Sequence, residues 1–112
     1  MFGVMDGTSL YALAEAQLEI ARTATSGRAA VTVYGGHEHR LRQTLIALCA
    51  GTRLGEHDAP DEATLLVIDG DVALHAGSQV WNGHAGDHVI LPPQRHDLEA
   101  ISDSAVLLTV AT

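Results

Sequence analysis

Seven histidines and fourteen carboxylates are the main chemistry-bearing side chains of this chain, which has one cysteine. A neutral imidazole can hold a divalent metal, carry a proton near neutral pH or contact a polar group on an organic ligand. Two histidines, His57 and His96, stand at the start of runs that alternate like strands. In HDLEA, residues 96–100, strand parity puts His96, Leu98 and Ala100 on one face and Asp97 and Glu99 on the other. Buried carboxylates without partners are costly, so the acidic face is expected outside and His96 inside. The same parity places His57, Ala59, Ala63, Leu65 and Val67 together and turns Glu62 away. His57, His96, Leu65, Val67 and Leu98 are therefore expected to line the interior, with Gln43 as a further lining candidate.

Two imidazoles alone make a weak metal site, because divalent Zn, Fe or Mn generally takes three or four protein ligands and non-haem iron wants a carboxylate. A third donor would have to come from His37 or His39 in the GHEH string, or from Gln43. Three roles for His57 and His96 stay open: binding a divalent metal (Zn, Fe, Mn or Ni), contact or proton transfer with an organic ligand, or structure alone. His75, His84 and His88 lie beside turns or at strand edges and are expected at the surface. Alternation puts Arg40 and Arg42 on one face and Gln43 on the other. An arginine inside an apolar cup would grip a carboxylate through two bonds; surface ion pairing is the alternative. There is no G-x-S-x-G elbow, phosphate loop, C-x-x-C or H-E-x-x-H. The acidic stretch Glu56, Asp58, Asp61, Glu62 lacks the spacing and central glycine of a calcium loop and reads as a solvated turn.

The elements that must position these residues come in two regimes. From Ser9 to about Thr25, Leu10, Leu13, Ala14, Leu18 and Ala21 recur at helical spacing, with Ser9 as a cap, Arg22 at the C-terminal end and Ser26-Gly27 as the stop. Short β-rich runs follow at 31–34, 41–50, 63–68, 71–76, 87–91 and 105–110. Asp69-Gly70 is expected to form a type I′ hairpin turn, and Gly77-Ser78 and Asn82-Gly83 further turns. Trp81 is expected to cap that last hairpin or a subunit contact. The runs ATLLVI and AVLLTV are apolar on both faces, so neither face should meet water, and a homodimer is one way to cover the second.

At 112 residues the chain fits one domain, with residues 1–30 as a helical segment packed on the barrel or on a partner subunit and 31–112 as the barrel itself. Aromatic residues make up only 4%, so the core must be aliphatic. Six basic residues, all arginine and scattered, face fourteen acids for a net charge of −8. That balance repels phosphate backbones and anionic headgroups, so neither nucleic acid nor a membrane surface is an expected partner. A lone cysteine in an apolar run, Cys49, suits a reducing compartment. With no leader pattern and no run of 18 apolar residues, the expectation is a soluble cytoplasmic protein.

Gly51, His57 and Gly70 fall at the spacing of the first cupin motif, and Gly86 and Pro92 at that of the second. The chain resembles a small single-domain cupin over about residues 41–110. It departs from the motifs at Ala59, Ala63, Gln94 and Ala100, where His, Glu, Gly and Asn are usual, and His96 arrives one residue early. The resemblance implies an all-β, antiparallel cupin barrel, a jelly roll or double-stranded β-helix, with one N-terminal α-helix. It implies a ligand-binding barrel with a degenerate metal site. The alternatives are a metal-dependent oxygenase or isomerase that uses His57, His96 and ligands from elsewhere, and a structural or regulatory protein without a ligand.

Overall fold

The computed structural model describes residues 5–56, 58 and 62–112. Helix α1 spans Leu10–Thr23 and opens as its sequence dictates: Ser9 is extended, and its hydroxyl accepts the Ala12 N–H at 3.2 Å. It ends before Gly27, whose left-handed φ of 71° turns the chain into the first strand. Eight strands follow: β1 (Arg28–Tyr34), β2 (Leu41–Leu48), β3 (Glu62–Asp69), β4 (Asp71–Ala76), β5 (Gln79–His84), β6 (His88–Ile90), β7 (Asp97–Ala100) and β8 (Ser104–Ala111). They make a five-stranded sheet, β1-β2-β8-β3-β6, and a three-stranded sheet, β5-β4-β7, with every pair antiparallel.

Alternation on the large sheet sends two sets of apolar side chains in opposite directions. Leu48, Leu65, Val67 and Val106 meet Val72, Leu74, Leu98 and Ala100 of the small sheet. On the other face Leu45, Ile68, Ala105 and Leu107 lie under Ala14, and Ala47 lies under Leu18 and Ala21. One face is covered by a sheet and the other by α1, so ATLLVI and AVLLTV are apolar on both sides for a reason internal to this chain.

Two expected turns are not where the sequence places them. Asp69-Gly70 is no type I′ hairpin: among the described residues none but glycine has a positive φ, and β3 and β4 belong to different sheets. It is a corner between the sheets, with Gly70 at φ 82° against the β7–β8 turn, where a Cβ would collide with the Asp103 carbonyl and Ser104. Asn82-Gly83 lies inside β5, with Gly83 opposite Val72, because the Trp81 ring folds over Gly83 and fills the space a side chain would take. Gly77-Ser78 does turn the β4–β5 hairpin, with the positive φ at Gly77 that a type II′ turn places first.

The corner is fastened by polar groups. Ser104 is fully buried, with its hydroxyl 3.0 Å from the Asp71 carbonyl and 2.7 Å from that of Ser102. Asp103 accepts the Ala50 N–H at 2.8 Å and pairs with Arg22 at the end of α1, and these contacts hold its carboxyl below the ordinary range.

Gly70→Ala is expected to cost about 2–5 kcal/mol, from left-handed strain plus the collision. Gly51→Ala, at φ 85° with open space around the added carbon, should cost only about 1–2 kcal/mol. Urea unfolding of the two variants measures the difference, and equal losses would mean that the corner relaxes around the methyl group.

Candidate functional site

His96 precedes β7 and is 2% exposed, facing a chamber of about 30 Å³ between the sheets. The chamber is lined by Ile46, Leu54, Leu65, Leu74, Leu91, Leu98 and Leu108 besides the imidazole, and such a volume holds roughly one or two waters. The Nδ1 of His96 lies 3.0 Å from the Gln94 carbonyl oxygen. A carbonyl only accepts, so Nδ1 carries a proton.

Leu65, Val67 and Leu98 also turn inward, each buried, and so does Ala63. Gln43 does not. Leu45 and Ala47, two and four residues on, pack beneath α1, so Gln43 shares the helix side, where its amide donates to Thr109 Oγ1 at 3.2 Å. His57, Ala59, Pro60 and Asp61 lie outside the described residues. The residues flanking His57 in sequence, Glu56 and Asp58, both contact the guanidinium of Arg95, at 3.2 and 2.9 Å, and Arg95 directly precedes His96.

Asp97 corrects the expectation that the acidic face of β7 is solvated. It is only 6% exposed, because Arg53 Nε reaches one oxygen at 2.6 Å and the Gly55 N–H the other at 2.8 Å. Arg53 forms an isolated bridge to Glu99, so the clamp ties the segment before His57 to the outer edge of β7. His75, expected at the surface, is half-buried with Nε2 2.9 Å from Glu99 Oε1. Sequence alternation found neither pair, since the partners are 44 and 24 residues apart.

His37 and His39, the candidate third ligands, belong to the turn between β1 and β2. His37 is exposed; His39 sits edge-on to Tyr34 with ring centroids 5.1 Å apart. Among the described residues no three His, Cys, Asp or Glu side chains come together to hold a metal ion. His96 is the one such donor lining the chamber among the described residues, and Ala63 stands where the cupin motif has Glu. The described donor set therefore does not fit a divalent metal.

Beside the chamber, between the edge strands β5 and β6, a cleft of about 420 Å³ opens to solvent. Trp81, Val80, Val89, Ile90 and Pro92 line it, and Leu74 borders both cleft and chamber. Trp81 is half-buried in the cleft wall, with its ring over Gly83 of the same hairpin.

The two antiparallel sheets around an aliphatic centre match many solved structures. A conserved protein of unknown function from Streptococcus pyogenes superimposes with a TM-score of 0.70 at 20% identity, over 80% of this chain and 77% of that one. A cupin superfamily protein from Desulfitobacterium hafniense gives 0.69 at 13% identity, over 75% and 76%. The fold is a cupin barrel. A salicylate 1,2-dioxygenase from Pseudaminobacter salicylatoxidans gives 0.75 at 16% identity, over 92% of this chain but 34% of the dioxygenase. No family model and no curated protein matches the sequence. No helix among the described residues is long and apolar enough to cross a membrane.

His88 at the start of β6 is exposed, and so is His84 at the end of β5, where its Nδ1 bonds Asp71. That hydrogen bond raises the His84 pKa above its ordinary 6.5 and lowers that of Asp71. The His84 contribution to stability is complete below about pH 6.5 and is lost as pH rises through the folded-state value. The Asp71 contribution runs the other way, present above about pH 3.9 and lost in acid. His84→Ala should therefore lower the melting temperature at pH 5.5 by more than at pH 8.5. A proton NMR titration of His84 with its midpoint at or below 6.5 would contradict this.

Proposed function

We propose that this cupin binds a small, largely apolar organic molecule at the open seam of its barrel, between β5 and β6. The observation that carries the reading is the cleft of about 420 Å³ walled by Trp81, Val80, Val89, Ile90 and Pro92, set one side chain, Leu74, away from the chamber lined by His96. A chamber of about 30 Å³ has no room for an organic molecule, so the body of the ligand belongs in the cleft, which lies in the size range of small-ligand sites. Val80 and Ile90 are 53% and 73% exposed, an apolar lip that a ligand would cover. The aromatic wall and the fold shared with a salicylate dioxygenase support aromatic compounds as the first to try. A homodimer is part of the proposal; the exposed Tyr11 and Ile20 of α1 support it.

The second reading is a metal-dependent oxygenase or isomerase, with His57, His96 and ligands recruited from elsewhere. What favours it is the bond from His96 Nδ1 to the Gln94 carbonyl, since metal-binding histidines usually fix their ring in this way.

Trp81 is the only tryptophan in the chain, so its emission reports on the cleft directly. Titration with naphthalene-sized aromatic alcohols is expected to give a saturable change in emission, and Ile90→Asp should weaken binding by about tenfold or more. Compounds that raise the melting temperature without moving Trp81 emission would place the site elsewhere; no response to any compound would favour a purely structural cupin. Metal analysis of untagged protein separates the second reading. About one Zn, Fe, Mn or Ni per chain, lost in His96→Ala, would overturn the first.

A further inference from the structure

We propose that a polar hollow at the far side of the large sheet, where β1 runs into its turn, is a second binding site that takes a small organic carboxylate. The hollow holds about 200 Å³ and is lined by Thr32, Tyr34, Gly36, His37, Arg42 and Thr44, with Gly35 at its floor. None of these residues borders the chamber or the seam cleft.

Arg42 is the centre of the site. Three arginines, Arg22, Arg53 and Arg95, have carboxylate partners. Arg42 is half-buried, yet among the described residues no carboxylate reaches it; its Nε donates to the His39 carbonyl at 3.4 Å. In a chain with fourteen acids and six arginines, a partly desolvated guanidinium left without a counter-charge is an unfilled electrostatic demand. A ligand carboxylate fills it through the guanidinium edge that Nε does not use.

The hydroxyls converge by strand register. Thr32 and Thr44 are directly opposite across the β1–β2 ladder, and Arg42 is two residues from Thr44 on the same strand, hence on the same face. Two hydroxyl donors and one guanidinium thus point to one side of the sheet. Gly35, at φ 100°, lies close against the start of β2: an added Cβ would collide with the Leu41 carbonyl oxygen and lie 3.2 Å from Arg42 Cγ. No acid lines the hollow. The net charge of −8 opposes general anion attraction, so affinity has to come from this local arrangement.

The lining sets the ligand class. One guanidinium balances one negative charge and matches the planar geometry of a carboxylate, whereas a phosphate dianion would need a second fixed cation and no other arginine lines the hollow. At roughly 30 Å³ per water, the space corresponds to about seven waters, enough for a carboxylate on a compact body.

Benzoate is the probe, with benzyl alcohol as its neutral counterpart and inorganic phosphate as the competing anion, followed by amide NMR on the full chain. Benzoate is expected to bind saturably and to shift the Thr32, Gly36 and Thr44 amides. Benzyl alcohol should bind about tenfold or more weakly, and Arg42→Gln should lose about tenfold or more in benzoate affinity. Arg40→Gln should leave binding unchanged. The proposal is overturned if benzoate does not bind, if its shifts fall elsewhere, if Arg42→Gln binds as well as the parent, or if benzyl alcohol matches benzoate. Phosphate binding more tightly than benzoate overturns the carboxylate assignment. Should Arg42→Gln fail to fold, Thr44→Val decides: a folded Thr44→Val with undiminished benzoate affinity also sinks the site.

Discussion

The large sheet is apolar on both faces, and the rest of the molecule follows from having to keep both away from water. Each fully buried Leu or Val is worth about 1.5–3 kcal/mol, while an exposed ion pair contributes at most about 1 kcal/mol. The eight residues buried between the sheets therefore outweigh the surface pairs of Arg22 and Arg95. One face takes the small sheet and the other takes α1. Where cover is lacking, at the concave side of β1, Ala30 and Thr32 remain exposed, and the neighbouring side chains change from leucine to threonine and arginine. The polar hollow exists because the small sheet is only three strands wide.

Closing two sheets around an aliphatic centre leaves little space inside. Leucines from both sheets meet around His96, so its cavity is the smallest of those described here and the roomy ones lie at the margins. Reaching the imidazole from the seam requires Leu74 to move, which makes that side chain the boundary between an apolar cleft and the single polar group inside. The Arg53–Asp97 clamp and the contacts of Arg95 tie residues 53, 55, 56 and 58 to Arg95 and the start of β7, on either side of His96.

Much of the fold was legible because the signals were local. Ser9 caps its own helix, the stripe from Leu10 to Ala21 faces the sheet, and parity in HDLEA turns His96 inward. What failed depended on side-chain contacts that composition and alternation do not encode. Asn82-Gly83 has the composition of a turn, and only the indole of Trp81 lying over the glycine makes it strand. Asp97 looks too costly to bury until Arg53 and the Gly55 amide are placed beside it. Alternation correctly set Gln43 opposite Arg42, but which of the two faces carries the helix is fixed only by Leu45 and Ala47. The candidate interior was legible in Leu65, Val67 and Leu98; the seam and the hollow were not, because each is formed where two strands distant in topology or turned by a bulge come together.

The seat of α1 combines methyl groups with branched side chains: Ala14 and Ala21 on the helix and Ala47 and Ala105 on the sheet are all buried, beside Leu18, Leu45, Ile68 and Leu107. At the alanines the two surfaces approach closely and gain dispersion contacts, while the larger side chains fix the register. Tolerance to mutation there is lopsided. Trimming an alanine removes one small group, whereas one added branch prises the surfaces apart at about 1–3 kcal/mol. Sequence drift at these four alanines is therefore confined to small residues, while the leucines beside them can exchange one bulky side chain for another.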